Sequence, residues 1–152
     1  MKKIVTIILI AFISTACTSK VKTLTCFEDK LENRSESAVI KSKSGEVIYE
    51  KTISTLYYDA EYYDIEAVDV FHNMFNEMYA EIEDIEGVKV NVKRDDRTIV
   101  LTLESDYEVI SEGDLIKLFP SEAMKDFQLD ADRRFEILQN TFEDLDGKCT
   151  IE

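Results

Sequence analysis

The spacing of hydrophobic residues changes several times along the chain, and each change predicts a different secondary structure. Short runs rich in alternating or β-branched residues predict strands over residues 25–31, 36–43 and 46–56. Ser44-Gly45 is a turn signal between the second and third strands. The first third of the domain is therefore expected to be antiparallel β-sheet.

The third predicted strand has apolar residues on both sides. Because successive side chains of a strand point to opposite faces, we expect one set of apolar residues on each face of the sheet. One face should hold Val47, Tyr49 and Ile53, and the other Ile48 and Leu56.

A helical period begins near residue 64. Apolar residues then recur every three or four positions, which predicts an amphipathic helix over residues 64–86 that Gly87 ends. Beyond it, Val88, Val90 and Val92 alternate with polar residues. After the polar turn 94–97, the same alternation continues with Ile99, Leu101 and Leu103. This pattern predicts a β-hairpin with one buried and one wet face. The apolar helix positions are Ile65, Val68, Phe71, Phe75, Met78, Ile82 and Ile85.

The last third predicts short helices. Residues 114–119 form one before Pro120, and Phe127 with Leu129 suggests a short extended piece. Asp130 can cap a helix that ends at Gly147 and carries Phe135, Leu138, Phe142 and Leu145 on one side. We expect a single α+β domain, in which an antiparallel β-sheet has one long helix and shorter C-terminal helices packed on one face.

Residues 1–16 differ in composition from everything that follows. Lys2 and Lys3, the apolar run 4–13 and a small-residue end have the order of a secretory signal peptide, and the run is too short to span a bilayer. "STAC" then resembles a lipobox, so Cys17 is predicted to be acylated and to become the first residue. The alternative is an ordinary signal peptide with an incidental Cys. Residues 17–23 would be the lipidated Cys and spacer, and 24–152 the domain.

This N-terminus predicts location better than activity. Acyl chains on Cys17 would hold the protein on the extracytoplasmic face of the cell membrane, or on an outer membrane if the organism has one. The formal charge of −14 disfavours nucleic acid and anionic lipid as partners of the domain itself.

Cys26 and Cys149 lie at opposite ends of the predicted domain. In an exported protein an even pair most simply forms a disulfide, with two free thiols as the alternative.

These features together resemble the YehR-like family of small bacterial lipoproteins. The matching segments are "STAC", the long helix ending in Ile85-Glu86-Gly87-Val88, the hairpin with "TLESDYEVI", and a final helix before "DGKC". The resemblance covers residues 24–149. It implies a lipoprotein with an α+β fold, and it implies no known reaction.

No residue pattern predicts a reaction or a cofactor. His72 is the sole histidine and has no matching nucleophile, so a structural or surface role is favoured. "EDLDG" does not fit the spacing of an EF-hand loop. A weaker cation site at Asp126, Asp130 and Asp132 is less favoured than helix capping. We therefore expect no catalytic residues and no metal site.

Tyr57, Tyr58, Tyr62 and Tyr63 form the densest aromatic cluster. Packing at the rim of the core is favoured, and a binding platform for a ligand or protein is the alternative. We predict a membrane-anchored binding or protein-interaction module that uses these tyrosines to engage an envelope protein or small ligand. The alternatives are a carboxylate-based or metal-assisted envelope enzyme, or a purely structural envelope component.

Overall fold

The structure is a computed structural model, and it describes residues 20–31, 33–119 and 121–152. The predicted signal peptide and Cys17 lie outside the described residues.

The sheet contains six strands, which are β1 (Lys22–Leu31), β2 (Arg34–Lys43), β3 (Glu46–Tyr57), β4 (Val88–Asp95), β5 (Thr98–Asp106) and β6 (Lys148–Ile151). They form one antiparallel sheet in the order β4-β5-β3-β2-β1-β6. Because β3 and β4 both pair antiparallel with β5, they run in the same direction, and the long helix that joins them crosses over the sheet. The C-terminal β6 lies at one edge beside β1.

Each of the four described helices begins at a side chain that caps it. Asp64, Ser111, Ser121 and Asp130 all accept a hydrogen bond from the backbone N–H three residues later, which satisfies a donor that the helix leaves unpaired. None of these helices is long and apolar enough to cross a bilayer. They are α1 (Ile65–Glu83), α2 (Glu112–Leu118), α3 (Glu122–Leu129) and α4 (Ala131–Asp144).

The helices cover one face of the sheet, as predicted. Residues directly opposite each other on paired strands project to the same face. The helix-side face defined in this way is apolar and buried, and includes Leu24, Cys26, Ala38, Ile40, Val88 and Ile99. The other face, called the open face here, carries Lys41, Lys51, Lys89, Lys93 and Lys148. The α+β prediction is confirmed.

Charges on the open face are paired across strands. Glu104 lies between Lys89 and Lys51, with N–O distances of 3.2 and 3.5 Å. The hydrogen bond from Lys89, with the positive charge of Lys51, lowers the pKa of the Glu104 carboxyl. The open face is therefore a solvated surface and not a second core.

Two local predictions were wrong, and one strand was missed. The β2–β3 register shifts between Lys41 and Ser42, so Val47 faces the helices while Tyr49 faces the open side. Residues 122–129 form α3 and not an extended piece, because Ser121 caps a helix there. The strand after Gly147 was not predicted, since four residues give too short a pattern.

Tyr107 links the two halves of the core. It packs against both clusters of buried residues, one under α4 and one under α1 and α2. Its hydroxyl donates to Glu50 at 3.3 Å, and Arg134 of α4 donates to the same carboxylate at 2.5 Å. Burial, together with the negative charge of Glu50, raises the pKa of Tyr107 far above its ordinary value of 10.0. This network fastens α4 to the middle of the sheet.

The predicted disulfide is confirmed by geometry. Cys26 and Cys149 stand directly opposite each other on β1 and β6, with Cα atoms 4.1 Å apart and a sulfur–sulfur bond. The bond joins the first strand to the last.

We expect the double variant Cys26→Ala/Cys149→Ala to lose about 4–5 kcal/mol of unfolding free energy, because the bond closes a loop of 123 residues in the unfolded chain. Urea unfolding with and without reductant measures this. Reductant should lower the midpoint of the native protein and leave that of the double variant unchanged. An unchanged midpoint for the native protein would contradict the prediction.

Arg134→Met should cost about 3–5 kcal/mol of unfolding free energy, because it leaves the Glu50 carboxylate mostly buried and without its cation. The matched control is Arg133→Met, an exposed neighbour on the same helix, with an expected cost below about 1 kcal/mol. Adding Glu50→Gln to Arg134→Met should restore more than half of the loss. Equal costs for the two arginines would show that no buried pair exists.

Candidate functional site

The two long helices sit over opposite flanks of the sheet. α1 lies along β4, where Asp69 pairs with Arg94 at 2.9 Å and His72 Nε2 lies 3.4 Å from the Val92 carbonyl oxygen. α4 lies along β1 and β6 at the other side. The helices run in opposite directions, since α1 leads from the end of β3 and α4 leads into β6.

The distance between these flanks leaves a gap in the helix layer. β4 and β1 are four strand spacings apart in the sheet, about 19 Å. Two helices in direct contact would lie about 8–10 Å apart, so roughly one helix width remains open. α2 and α3 fill it at the end near Asp106, where Asp130 also bridges to Glu46. At the end near Arg34 and Tyr57, the helix-side residues Glu36, Ser54 and Leu56 are only half-buried, and we call the space above them the central slot.

One wall of the central slot is an apolar flank of α1. Asp69 and His72 show which flank of the helix is turned towards β4. With 3.6 residues per turn, Met74 and Met78 lie on the opposite flank, towards the slot, and Val70, about 200° from the buried Val68, lies at its outer rim. The exposed fractions of Val70, Met74 and Met78 are 64, 48 and 55%, which is high for three apolar residues on successive turns.

The floor and the second wall come from the sheet and α4. The helix-side face of β3 and β2 provides the half-buried Ser54, Leu56 and Glu36. Arg134 reaches from α4 to β3, so the same flank one and two turns later carries Ile137 and Thr141. The slot therefore has an apolar wall on α1, a mixed wall on α4 and a partly polar floor.

Acidic residues surround the central slot. α1 carries five acidic residues and no Lys or Arg. Glu77 and Glu81 are exposed beside Met74 and Met78. Negative charge in the last turn of a helix opposes the helix dipole, so Glu81 does not contribute to helix stability.

A buried carboxylate lies on the helix-side face of β1. Glu28 is 1% exposed, and neither of its carboxylate oxygens has a hydrogen-bond partner among the described residues. It stands directly opposite Glu36 in the β1–β2 pair, and Arg34 lies 3.7 Å from Glu36. Glu28 is therefore closed off from solvent, and Glu36 is paired with a cation.

The tyrosine cluster divides into two parts. Tyr58 stacks on Phe71 of α1 at 5.1 Å between ring centroids, and Tyr63 meets the edge of both rings at 5.4 and 5.9 Å. Burial raises the pKa of Tyr58. Tyr57 belongs to the open face, and Tyr62 is 74% exposed. The four tyrosines do not share one surface, and their role in binding stays a prediction.

The other residues named from sequence have local contacts. His72 also lies 3.3 Å from the Asn76 side chain, one turn further along α1. Asp130 caps α4 through a hydrogen bond from the Arg133 N–H at 3.0 Å. Within residues 20–31, 33–119 and 121–152, no three His, Cys, Asp or Glu side chains come together as a metal site.

Sequence reasoning missed the central slot. The signal was present in the helical pattern, because Val70 and Met74 widen the apolar stripe beyond what one buried face requires. The sequence does not tell which strand α1 follows, so it could not show that the extra apolar flank borders a gap in the helix layer.

Comparison with known proteins supports the fold alone. No family model matches the sequence, and no curated protein matches it. The NMR structure of the E. coli YehR protein is similar, with a TM-score of 0.58 and 12% identity over 81% of this chain and 89% of that one. The NMR structure of a Streptococcus pneumoniae protein matches with a TM-score of 0.49 and 14% identity over 100% and 97% of the two chains. The chain therefore has a YehR-like fold.

Proposed function

We propose that this protein is a membrane-anchored extracytoplasmic lipoprotein, acylated at Cys17, that binds a partner in the central slot. The lipobox-like "STAC" supports the anchor. The disulfide supports an oxidising compartment outside the cytoplasm, where such bonds persist. Both features agree with a YehR-like lipoprotein.

The exposed apolar wall of the slot carries the binding proposal. Contiguous exposed apolar side chains on a soluble domain mark interaction surfaces. Methionine is flexible and polarisable, so a wall containing Met74 and Met78 can adapt to a bound surface. Met74 and Met78 lie one turn apart on a single helix, so the wall that they form is pre-formed.

Two of the four predicted tyrosines lie near this slot. Phe71 lies next to Val70 at the start of α1, and its ring holds Tyr58 and Tyr63. A partner that extends past the open end of the slot would meet these rings. The tyrosines would then border the binding site and not form its centre.

The anchor can be tested by fractionating cells that express the full chain. We expect the protein in the membrane fraction with an acylated Cys17 peptide in its mass spectrum. The Cys17→Ser variant should lose that modification and keep its precursor length. An unmodified native peptide spanning residue 17 would show that the lipoprotein prediction is wrong.

Binding can be tested with a photo-crosslinking amino acid at position 74 or 78 in the native membrane. We expect a reproducible crosslinked partner from both positions, because both side chains line the slot. Positions 73 and 80 serve as matched controls, since Asn73 and Ala80 are exposed on the other flank of α1. Equal crosslinking from all four positions would contradict a site in the slot.

A further inference from the structure

We propose that the occupant of the central slot is a cationic amphipathic helix of another envelope protein. This inference rests on the proposed function and names the chemistry of its partner. Shape, apolar surface and charge each support it.

The shape of the slot fits one helix. A space of about 19 Å between the strands under α1 and α4 leaves roughly one helix diameter after the two walls are counted. The wall from Val70 to Met78 spans eight residues of α1, about 12 Å. A partner helix lying along it would place two to three turns in the slot.

The apolar surface fits one face of such a helix. Met74 and Met78 line the upper wall, and Ile137 lies on the opposite wall. Amphipathic helices bind grooves through apolar residues at positions i, i+3, i+4 and i+7, and flexible methionines accommodate them. The polar Ser54 and Glu36 in the floor favour an amphipathic segment over a fully apolar one.

The charge of the slot selects a cationic partner. Glu77 and Glu81 border the apolar wall, and α1 has no basic residue to balance them. Glu36 at the open end already pairs with Arg34 at 3.7 Å, and Glu28 is 1% exposed, so Glu77 and Glu81 are the carboxylates that an incoming helix can reach. Lysines or arginines on the polar face of an incoming helix would pair with these groups.

A second copy of this chain is a poor occupant. Its longest amphipathic helix is α1, which is as acidic as the walls that it would enter. Like charges at such a contact oppose association. A lipid acyl chain is the remaining apolar occupant, and the experiment distinguishes it from a helix.

The probe is a synthetic 16-residue peptide with leucines on one helical face, lysines on the other and a single Trp. The protein contains no Trp, so Trp emission reports the peptide alone. The full chain is purified from membranes and placed in nanodiscs of zwitterionic lipid, with empty discs as the blank. We expect a saturable blue shift of the emission that a scrambled peptide of the same composition does not give.

Two pairs of variants test the apolar wall and the charge separately. Met74→Gln/Met78→Gln should weaken binding at least tenfold, whereas Ile116→Gln, a similarly exposed position on α2, should change it less than twofold. Glu77→Gln/Glu81→Gln should weaken binding threefold or more at low salt and have little effect at 0.5 M salt, because salt screens exposed charges. Glu112→Gln/Glu122→Gln removes the same charge elsewhere and should have little effect.

Several outcomes would overturn this inference. They are equal binding of the scrambled peptide, equal loss from the wall and control variants, or displacement of the peptide by short-chain phospholipid with no effect of the glutamate variants. If the peptide fails but positions 74 and 78 still crosslink a native partner, the slot binds something other than a cationic helix. If the crosslinks also fail, the proposed function itself is wrong.

Discussion

The whole arrangement depends on the need to bury one face of a six-stranded sheet with few helices. The helix-side face holds the buried apolar core, with polar residues such as Glu50 and Ser54 among it, and the open face is solvated, so all covering elements must lie on one side. Two long helices cannot cover a sheet of this width when one follows β4 and the other follows β1 and β6. The space over β3 and β2 must be filled by something else. At one end α2 and α3 fill it, and at the other end the central slot remains.

Contacts at the end of the sheet that α2 and α3 cover allow the other end to remain uncovered. Tyr107, Glu50 and Arg134 join the two halves of the core where α2 and α3 lie, so α4 is held in place without contacting α1 along its length. The disulfide fixes β6 to β1 beneath α4 and prevents the far edge from separating. With both flanks fixed independently, the slot between them does not have to be closed for the fold to be stable.

Sequence patterns predicted most of the helices and strands, because the pattern of each element is set by residues that are close together in the chain. The period of Ile65 to Ile85 and the alternation of Val88 to Val92 depend on neighbouring residues only. The face of Val47 was wrong because a bulge shifts the register by one residue, and the alternating pattern does not report it. The slot depends on which strand each helix follows, and this is set by contacts between distant parts of the chain. Cys26 and Cys149 were paired correctly because only two cysteines remained.

The acidic character of α1 is hard to explain by stability. Glu81 and Glu83 occupy the last turn, where a negative charge opposes the helix dipole, and no Lys or Arg on the helix offsets them. The exposed methionines beside them contribute little to stability, and polar residues at the same positions would make the surface more soluble. Met74 and Met78 share one side of the helix with Glu77 and Glu81, and an apolar flank and an unbalanced negative charge on the same side are each unfavourable in the free protein. Both become favourable when a surface that is apolar and positively charged lies against them, and this is the physical reason to regard the slot as an interface.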